Sequence, residues 1–361
     1  MLETPIMNLP TQPSIPRPQS LGALLSDLID SSNNKRFAMG SLLALDWDDE
    51  HLVLGWMPEP IDRRETEDSH IRPMEIRTHT IPDGLMVEGQ WQDAARWMAC
   101  LERWVAATQL DQPQLVLALP AKDLSHHWVD ASSHLDIDRT DVLMGLVDQA
   151  ASQQALDGHG QVSLDDQVFD VLSEADVWPG ATMPLCENER QEHNLRWCLV
   201  GAAEAKVAAL ETLFAGSHFS LTCLDSRPRA LLAAWHPHLS GEGHACLLDD
   251  HLSTTQWMVT GRQGLLEMGQ LSHQRLSIAE RVDHLIGRLG SAQASHSFDT
   301  IWLTHPEGSE PSEVATRVAD ALNLSVAFIP SLTDHQPSTS LQLVVQGLLI
   351  GQGARVVTHA F

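Results

Sequence analysis

The chain has 361 residues, 43% of them hydrophobic, with 22 Lys and Arg against 48 Asp and Glu and a formal charge of −26. That length and apolar content suit about two packed domains and exclude global disorder. The charge argues against a nucleic-acid backbone or an anionic leaflet as partner, because no run of Lys or Arg is present to offset the repulsion.

Residues 1–36 read as a flexible proline-rich tail, with Pro5, Pro10, Pro13, Pro16 and Pro18 after an acidic Glu3, a pattern unlike a secretory signal. The longest apolar stretches, such as Leu115–Pro120 and Leu343–Ile350, fall short of the ~20 residues of a spanning helix. Cys100, Cys186, Cys198, Cys223 and Cys246 are scattered and form no C-x-x-C pair, which fits a reducing compartment. A cytoplasmic protein without direct membrane insertion is expected.

From Ser41 the pattern predicts a strand, an acidic turn and a second strand through Met57, with a third strand over Met74–Ile81. Trp91–Leu110 carries apolar residues at helical spacing, and Leu115–Pro120 is a continuous apolar run of buried-strand type. Asp138–Gln153 predicts a helix, Gln167–Leu172 and Leu195–Gly201 strands, and Ala202–Ala215 a helix. Strand Phe219–Leu224 and helix Ala230–Trp235 follow, then a break at His236–Gly243. The opening order then recurs: strands Ala245–Asp249, Thr255–Val259 and Leu265–Leu271, helix Ile278–Leu289, strand Thr300–Leu303, helix Ser312–Leu322, strand Ser325–Ile329 and helix Ser340–Gly351. The fold class is α/β, built from two copies of one element order.

That duplicated order, with an acidic turn after the first strand of each half, resembles the RNase H-like, actin-like ATPase superfamily. Ala44–Met57 (ALDWDDEHLVLGWM) stands where one branch has a D-I-G-x-x-x-x-K phosphate loop, and Leu115–Lys122 (LVLALPAK) where it has an L-A-L-P strand end. Cys246–Val259 (CLLDDHLSTTQWMV) stands at its V-D-I-G-x-x-x-T, and Leu195–Trp235 is similar to its strand, helix, strand and D-x-x-x-x-A-L segment. The branch is the PilM or competence protein A family of type IV pilus assembly proteins, with its HofM-like and MshI-like members. The resemblance implies a first lobe over 37–240 with an inserted subdomain at about 122–216, and a second lobe over 241–361. It also implies a cytoplasmic scaffold, peripheral to the inner membrane, that docks the short cytoplasmic N-terminal peptide of an inner-membrane pilus assembly protein. An active ATPase of the same superfamily and a type II secretion platform scaffold are the alternative readings.

In this superfamily two hairpin turns bring backbone N–H groups to the phosphates, and glycine permits the close approach. Here Asp48 stands at the first glycine, Val53 at the lysine and His251 at the second glycine. The residues implied at the nucleotide site are Asp46, Asp48, Asp249, Thr255 and Thr304, a degenerate set with extra carboxylates and no ammonium. Two like charges 4 Å apart repel by ~1 kcal/mol in bulk water and several-fold more near a protein surface. Weak or absent Mg·ATP binding is therefore expected, making the chain a pseudo-ATPase and not an enzyme. The turn Asp46–Glu50 reads either as a solvated hairpin tip or as a surviving site with Asp46 and Asp249 around Mg²⁺.

No G-x-S-x-G, P-loop or strand-linked G-x-G-x-x-G motif occurs. His236, His238, His244 and Cys246 have metal-ligand types at close spacing, but Pro237, Gly241 and Gly243 also suit an ordinary connection between halves. Trp91, Trp97 and Trp104 lie at core-helix spacing. Met7–Pro10 (MNLP) is similar to the N-L-(L)-P motif of the family's membrane partner, so the tail could occupy the docking groove itself.

Overall fold

The computed structural model of the chain describes residues 42–56, 74–87, 90–120, 123–132, 145–150, 167–172, 194–239, 243–251, 254–261, 264–304, 312–330 and 338–351. The tail and its MNLP motif lie outside these residues.

β1 (Leu42–Trp47) and β2 (His51–Trp56) form the expected hairpin, and β3 (Glu75–Thr80) adds the third antiparallel strand. Met86–Val87 and Gln90–Trp91 pair as the short strands β4 and β5. Helix α1 (Ala94–Ala106) starts where the Asp93 carboxylate accepts the Arg96 N–H. It buries Trp97, Leu101, Trp104 and Val105, so its tryptophans belong to the core. β6 (Gln114–Leu119) returns parallel to β1, and β10 (Ser220–Ser226) lies parallel to β6. The sheet order is β10-β6-β1-β2-β3.

Between β6 and β10 the chain builds a separate antiparallel sheet, β7-β9-β8, from β7 (Leu124–Ser132), β8 (Gln167–Leu172) and β9 (Asn194–Ala203). Of the helix expected over Asp138–Gln153, residues 145–150 are helical and the others lie outside the described residues. Helix α2 (Glu204–Phe214) buries Val207, Leu210 and Phe214 in the first core and leads directly into β10. It stands between the parallel strands β6 and β10, which need a crossover connection. Helix α3 (Arg227–Trp235) follows β10 and is buried along most of its length.

The second half repeats the plan. Its strands are β11 (Ala245–His251), β12 (Thr254–Gly261), β13 (Gly264–Ser272), β14 (Thr300–Leu303) and β15 (Ser325–Phe328), in the order β13-β12-β11-β14-β15. The first two pairings are again antiparallel and the last two parallel. Helix α4 (Ile278–His296) begins with a Ser277/Glu280 capping box and continues seven residues past the expected Leu289, ending at a left-handed Ser297. Helix α5 (Glu313–Leu322) is the crossover between β14 and β15.

The last helix, α6 (Ser340–Gly351), follows the second half in sequence but packs on the first sheet and on α3. Leu341, Leu343, Val344, Val345, Leu348 and Leu349 join the first core. Full burial of such a side chain contributes about 1.5–3 kcal/mol. Its close approach depends on glycine: a Cβ on Gly347 would overlap the Ala230 carbonyl, and one on Gly55 would overlap Val345. The C-terminal helix thus ties the second half of the chain to the first core. Among the described residues no helix is long and apolar enough to cross a membrane.

Candidate functional site between the two halves

The duplication places equivalent residues face to face. Leu45 is the last β1 residue paired with β6, and Leu248 the last β11 residue paired with β14. Asp46 and Asp249 come next, at the carboxyl ends of the two central strands. There one neighbour is parallel and the other antiparallel. The helices after the fifth strands also correspond: Arg227 is the first residue of α3 and Ser340 the first of α6.

Arg227 joins the other three points. Its Nη1 donates to Asp46 Oδ2 in a short contact, and its Nε lies 3.4 Å from Asp249 Oδ2. Its Nη2 donates to Ser340 Oγ at 2.5 Å, and that hydroxyl donates to Asp249 Oδ1 at 2.5 Å. The Thr304 hydroxyl, just past β14, donates to the same oxygen at 2.8 Å. Asp46 and Asp249 are each only 2% exposed and Arg227 5%, so the cluster is closed to solvent. Burial bears hardest on Asp46 and pushes its carboxyl up, with the Arg227 guanidinium pulling the other way. Burial also opposes the Arg227 charge, but Asp46 and Asp249 outweigh it and hold the guanidinium above its ordinary value.

At the mouth of this cluster Asp48 closes its own turn. Its Oδ1 accepts the N–H groups of Glu50 at 2.7 Å and His51 at 2.6 Å. Its Oδ2 lies 3.4 Å from His251 Nε2 in the opposite half. The two residues that stand at the glycine positions of the expected phosphate loops therefore face each other as a pair. Burial acts to raise Asp48, and the His251 ring with the two backbone donors outweighs it, leaving the carboxyl below its ordinary value.

Thr255 points elsewhere. It sits opposite Asp250 on β12 and donates to that carboxylate at 2.6 Å, with His273 Nε2 2.8 Å from its hydroxyl and Arg281 Nη1 3.7 Å from Asp250. Neighbours on a strand face opposite ways, so Asp249 serves the cleft while Asp250 and Thr255 serve the α4 side. Burial acts to raise Asp250, and His273 with the Thr255 and Ser312 hydroxyls lowers it on balance.

No protein-family model matches the sequence, and no curated protein matches it. Solved structures do. The structure described as a PilM-PilN type IV pilus biogenesis complex contains a chain of which 98% is covered by 87% of this one, at 15% identity and a TM-score of 0.62. The chain has a PilM-like, actin-like fold. A protein of unknown function from Bacteroides thetaiotaomicron, described as having an actin-like ATPase fold, is matched over 86% of this chain and 98% of its own, with 9% identity and a TM-score of 0.47. The cytoplasmic domain of Vibrio cholerae EpsL, an inner-membrane component of the type II secretion system, is matched over 86% and 95%, with 14% identity and a TM-score of 0.45.

The Mg·ATP that an actin-like fold implies does not fit the residues between these halves. A cation already stands between Asp46 and Asp249, and the N–H groups of Glu50 and His51 already have an acceptor in Asp48. Of the residues expected at the site, Asp46, Asp249 and Thr304 meet around Arg227, Asp48 lies at the mouth, and Thr255 belongs to a neighbouring cluster. The turn is not a uniformly solvated tip, because Asp46 is buried and Asp48 mostly so while Glu50 is exposed. Sequence reasoning missed Arg227 and Ser340. The available signal was an arginine between Ser226 and Pro228 at a strand-to-helix junction, directly before the apolar run Ala230–Trp235.

The four metal-type residues of the connection do not gather. His244 packs edge-on to His296 at 5.7 Å, while Cys246 is buried in the second core, its thiol pushed up by that burial and by Glu267. Among the described residues, no three or more His, Cys, Asp or Glu side chains are arranged to hold a metal ion.

Proposed function

We propose that this chain is a cytoplasmic, nucleotide-independent actin-like scaffold of type IV pilus assembly, a pseudo-ATPase that works by holding a partner. The observation that carries this reading is the cleft filled by the chain's own Asp46–Arg227–Asp249 cluster and capped by Asp48 and His251. Preorganised donors for a transferring phosphoryl group are what phosphoryl transfer requires, and here the N–H groups of Glu50 and His51 are spent on Asp48. The pilus assignment rests on fold-level analogy with the PilM-PilN structure. The proposed partner is the short cytoplasmic N-terminal peptide of an inner-membrane pilus assembly protein, taken up in extended form by main-chain pairing and side-chain pockets. A surface with a net charge of −26 favours basic segments in that peptide.

The test is titration calorimetry with two ligands. Mg·ATP at millimolar concentration should give no saturable heat. One of the cytoplasmic N-terminal peptides from the same organism's small single-pass pilus proteins should bind, with an affinity unchanged by Mg·ATP. Micromolar Mg·ATP binding would return the ATPase reading, and failure of every such peptide to bind would remove the pilus scaffold.

A further inference from the structure

We infer that Arg227 is the built-in cation of the interlobe cleft: its guanidinium stands where the two buried carboxylates Asp46 and Asp249 would otherwise need a bound metal ion, and it holds the two halves together without any ligand. The inference rests on the geometry of the cleft and not on the pilus assignment. The duplicated fold delivers two carboxylates, Asp46 and Asp249, to one water-excluded spot, each only 2% exposed. Two such charges repel strongly in a low dielectric, so the spot demands a cation. The cation present is covalently part of the chain.

The hydrogen bonds around it argue against an incidental surface arginine turned inward. Three guanidinium nitrogens reach three different elements: Nη1 meets Asp46 at the end of β1, Nε faces Asp249 in β11, and Nη2 meets Ser340 at the start of α6. Ser340 and Thr304 complete the shell by donating to Asp249 Oδ1. The planar, permanently charged fork reaches all three acceptors at once, where a lysine ammonium would supply the same charge with a looser directional fit. The Asp48–His251 pair across the mouth is an independent closure of the same cleft at the positions of the two lost glycines.

If the guanidinium replaces a metal ion, its removal should recreate a metal site. Arg227→Ala leaves two buried carboxylates and two hydroxyls, a set of hard oxygen donors suited to Mg²⁺ or Mn²⁺. The experiment compares melting temperatures of the native chain, Arg227→Ala, Arg227→Lys and the double variant Arg227→Ala/Asp249→Asn. Each is measured with EDTA, Mg²⁺ or Mn²⁺ at physiological salt, which suppresses diffuse binding of cations to the acidic surface. Native protein should melt at one temperature in all three conditions. Arg227→Ala should melt many degrees lower in EDTA and recover a substantial part of the loss in Mn²⁺ or Mg²⁺, and the double variant should recover none. A native protein stabilised by the metals, or an Arg227→Ala variant as stable as native and indifferent to them, would overturn the inference. So would an Arg227→Ala variant that is destabilised but not rescued. Should Arg227→Ala fail to fold in every condition, Arg227→Lys decides: folding in EDTA supports the inference, and folding only with added metal, or not at all, overturns it. Loss of peptide capture with these metal responses intact would count against the pilus scaffold alone.

Discussion

Asp48, at the position that the resemblance assigns to a phosphate-loop glycine, accepts the turn's own N–H groups with its carboxylate. With a side chain only 8% exposed, it accepts from two backbone N–H groups and lies beside the His51 and His251 rings, contacts that would all be lost on truncation. The two backbone donors are exposed and part-buried, so water can replace the carboxylate there, and each lost bond costs about the net 0.5–1.5 kcal/mol; Asp48→Ala should lower neutral-pH stability by about 1–2 kcal/mol. Asp48 is held below the ordinary 3.8 in the folded chain, so the folded state binds fewer protons there than the unfolded state. Its contribution is therefore complete above the ordinary carboxylate range and is lost as pH falls through its depressed folded value. Asp250 carries the same sign, whereas Asp46, pushed up by burial, gains on protonation and opposes both. Urea melts of native and Asp48→Ala protein across the acid range should show the gap between them closing as pH falls. A gap of constant size down to strongly acidic pH would show that the Asp48 carboxylate charge contributes nothing.

At the scale of elements, the decisive contact is α6 against α3. The backbone of α6 comes so near that a Cβ on Gly347 would overlap the Ala230 carbonyl, a main-chain atom that cannot swing aside. Overpacking of this kind costs typically 1–3 kcal/mol, so Gly347→Ala should destabilise by about 2 kcal/mol or more despite its better helix propensity. Equilibrium denaturation measures it directly, and a stabilised variant would mean the helices can move apart freely. Most elements were legible in the sequence because their patterns were clean: LLALDW read as a strand, LVLALP as a buried one, and the apolar spacing of Ile278–Leu289 as a helix. β7 was not legible, since its LSHHWVDAS mixes polar and apolar residues without alternation. The placement of α6 on the first sheet was hidden as well, because its apolar run LQLVVQGLLIG states burial but not the surface that buries it. The site was half legible for the same reason. Asp46 and Asp249 came from the resemblance to the family's phosphate loops, but Arg227 acquires its role only when α3 and the two strand ends converge, a long-range event with no local periodicity.

Across the whole molecule, the two halves share more than a cleft. The first core takes in Leu247, Met258, Leu265, Met268 and Ile329 from the second half, in addition to α6. At the insertion, Gln270 of β13 donates to the Leu124 carbonyl of β7 at 3.0 Å. The second core, around α4, α5 and the far face of the second sheet, joins the first through β11, which contributes Leu247 to one core and Cys246 and Leu248 to the other. A two-lobed chain normally unfolds in separable steps, but these shared elements couple the lobes. Native protein should therefore unfold in urea as one transition, with tryptophan fluorescence and far-UV circular dichroism coinciding. The tryptophans sample both halves, for example Trp97 and Trp235 in the first core and Trp257 in the second. Asp249→Asn weakens the clamp from the second-half side only, and in a coupled molecule it should move both probes to the same lower midpoint. Separation of the two curves, with one half melting ahead of the other, would show that the clamp and the shared core do not unite the lobes.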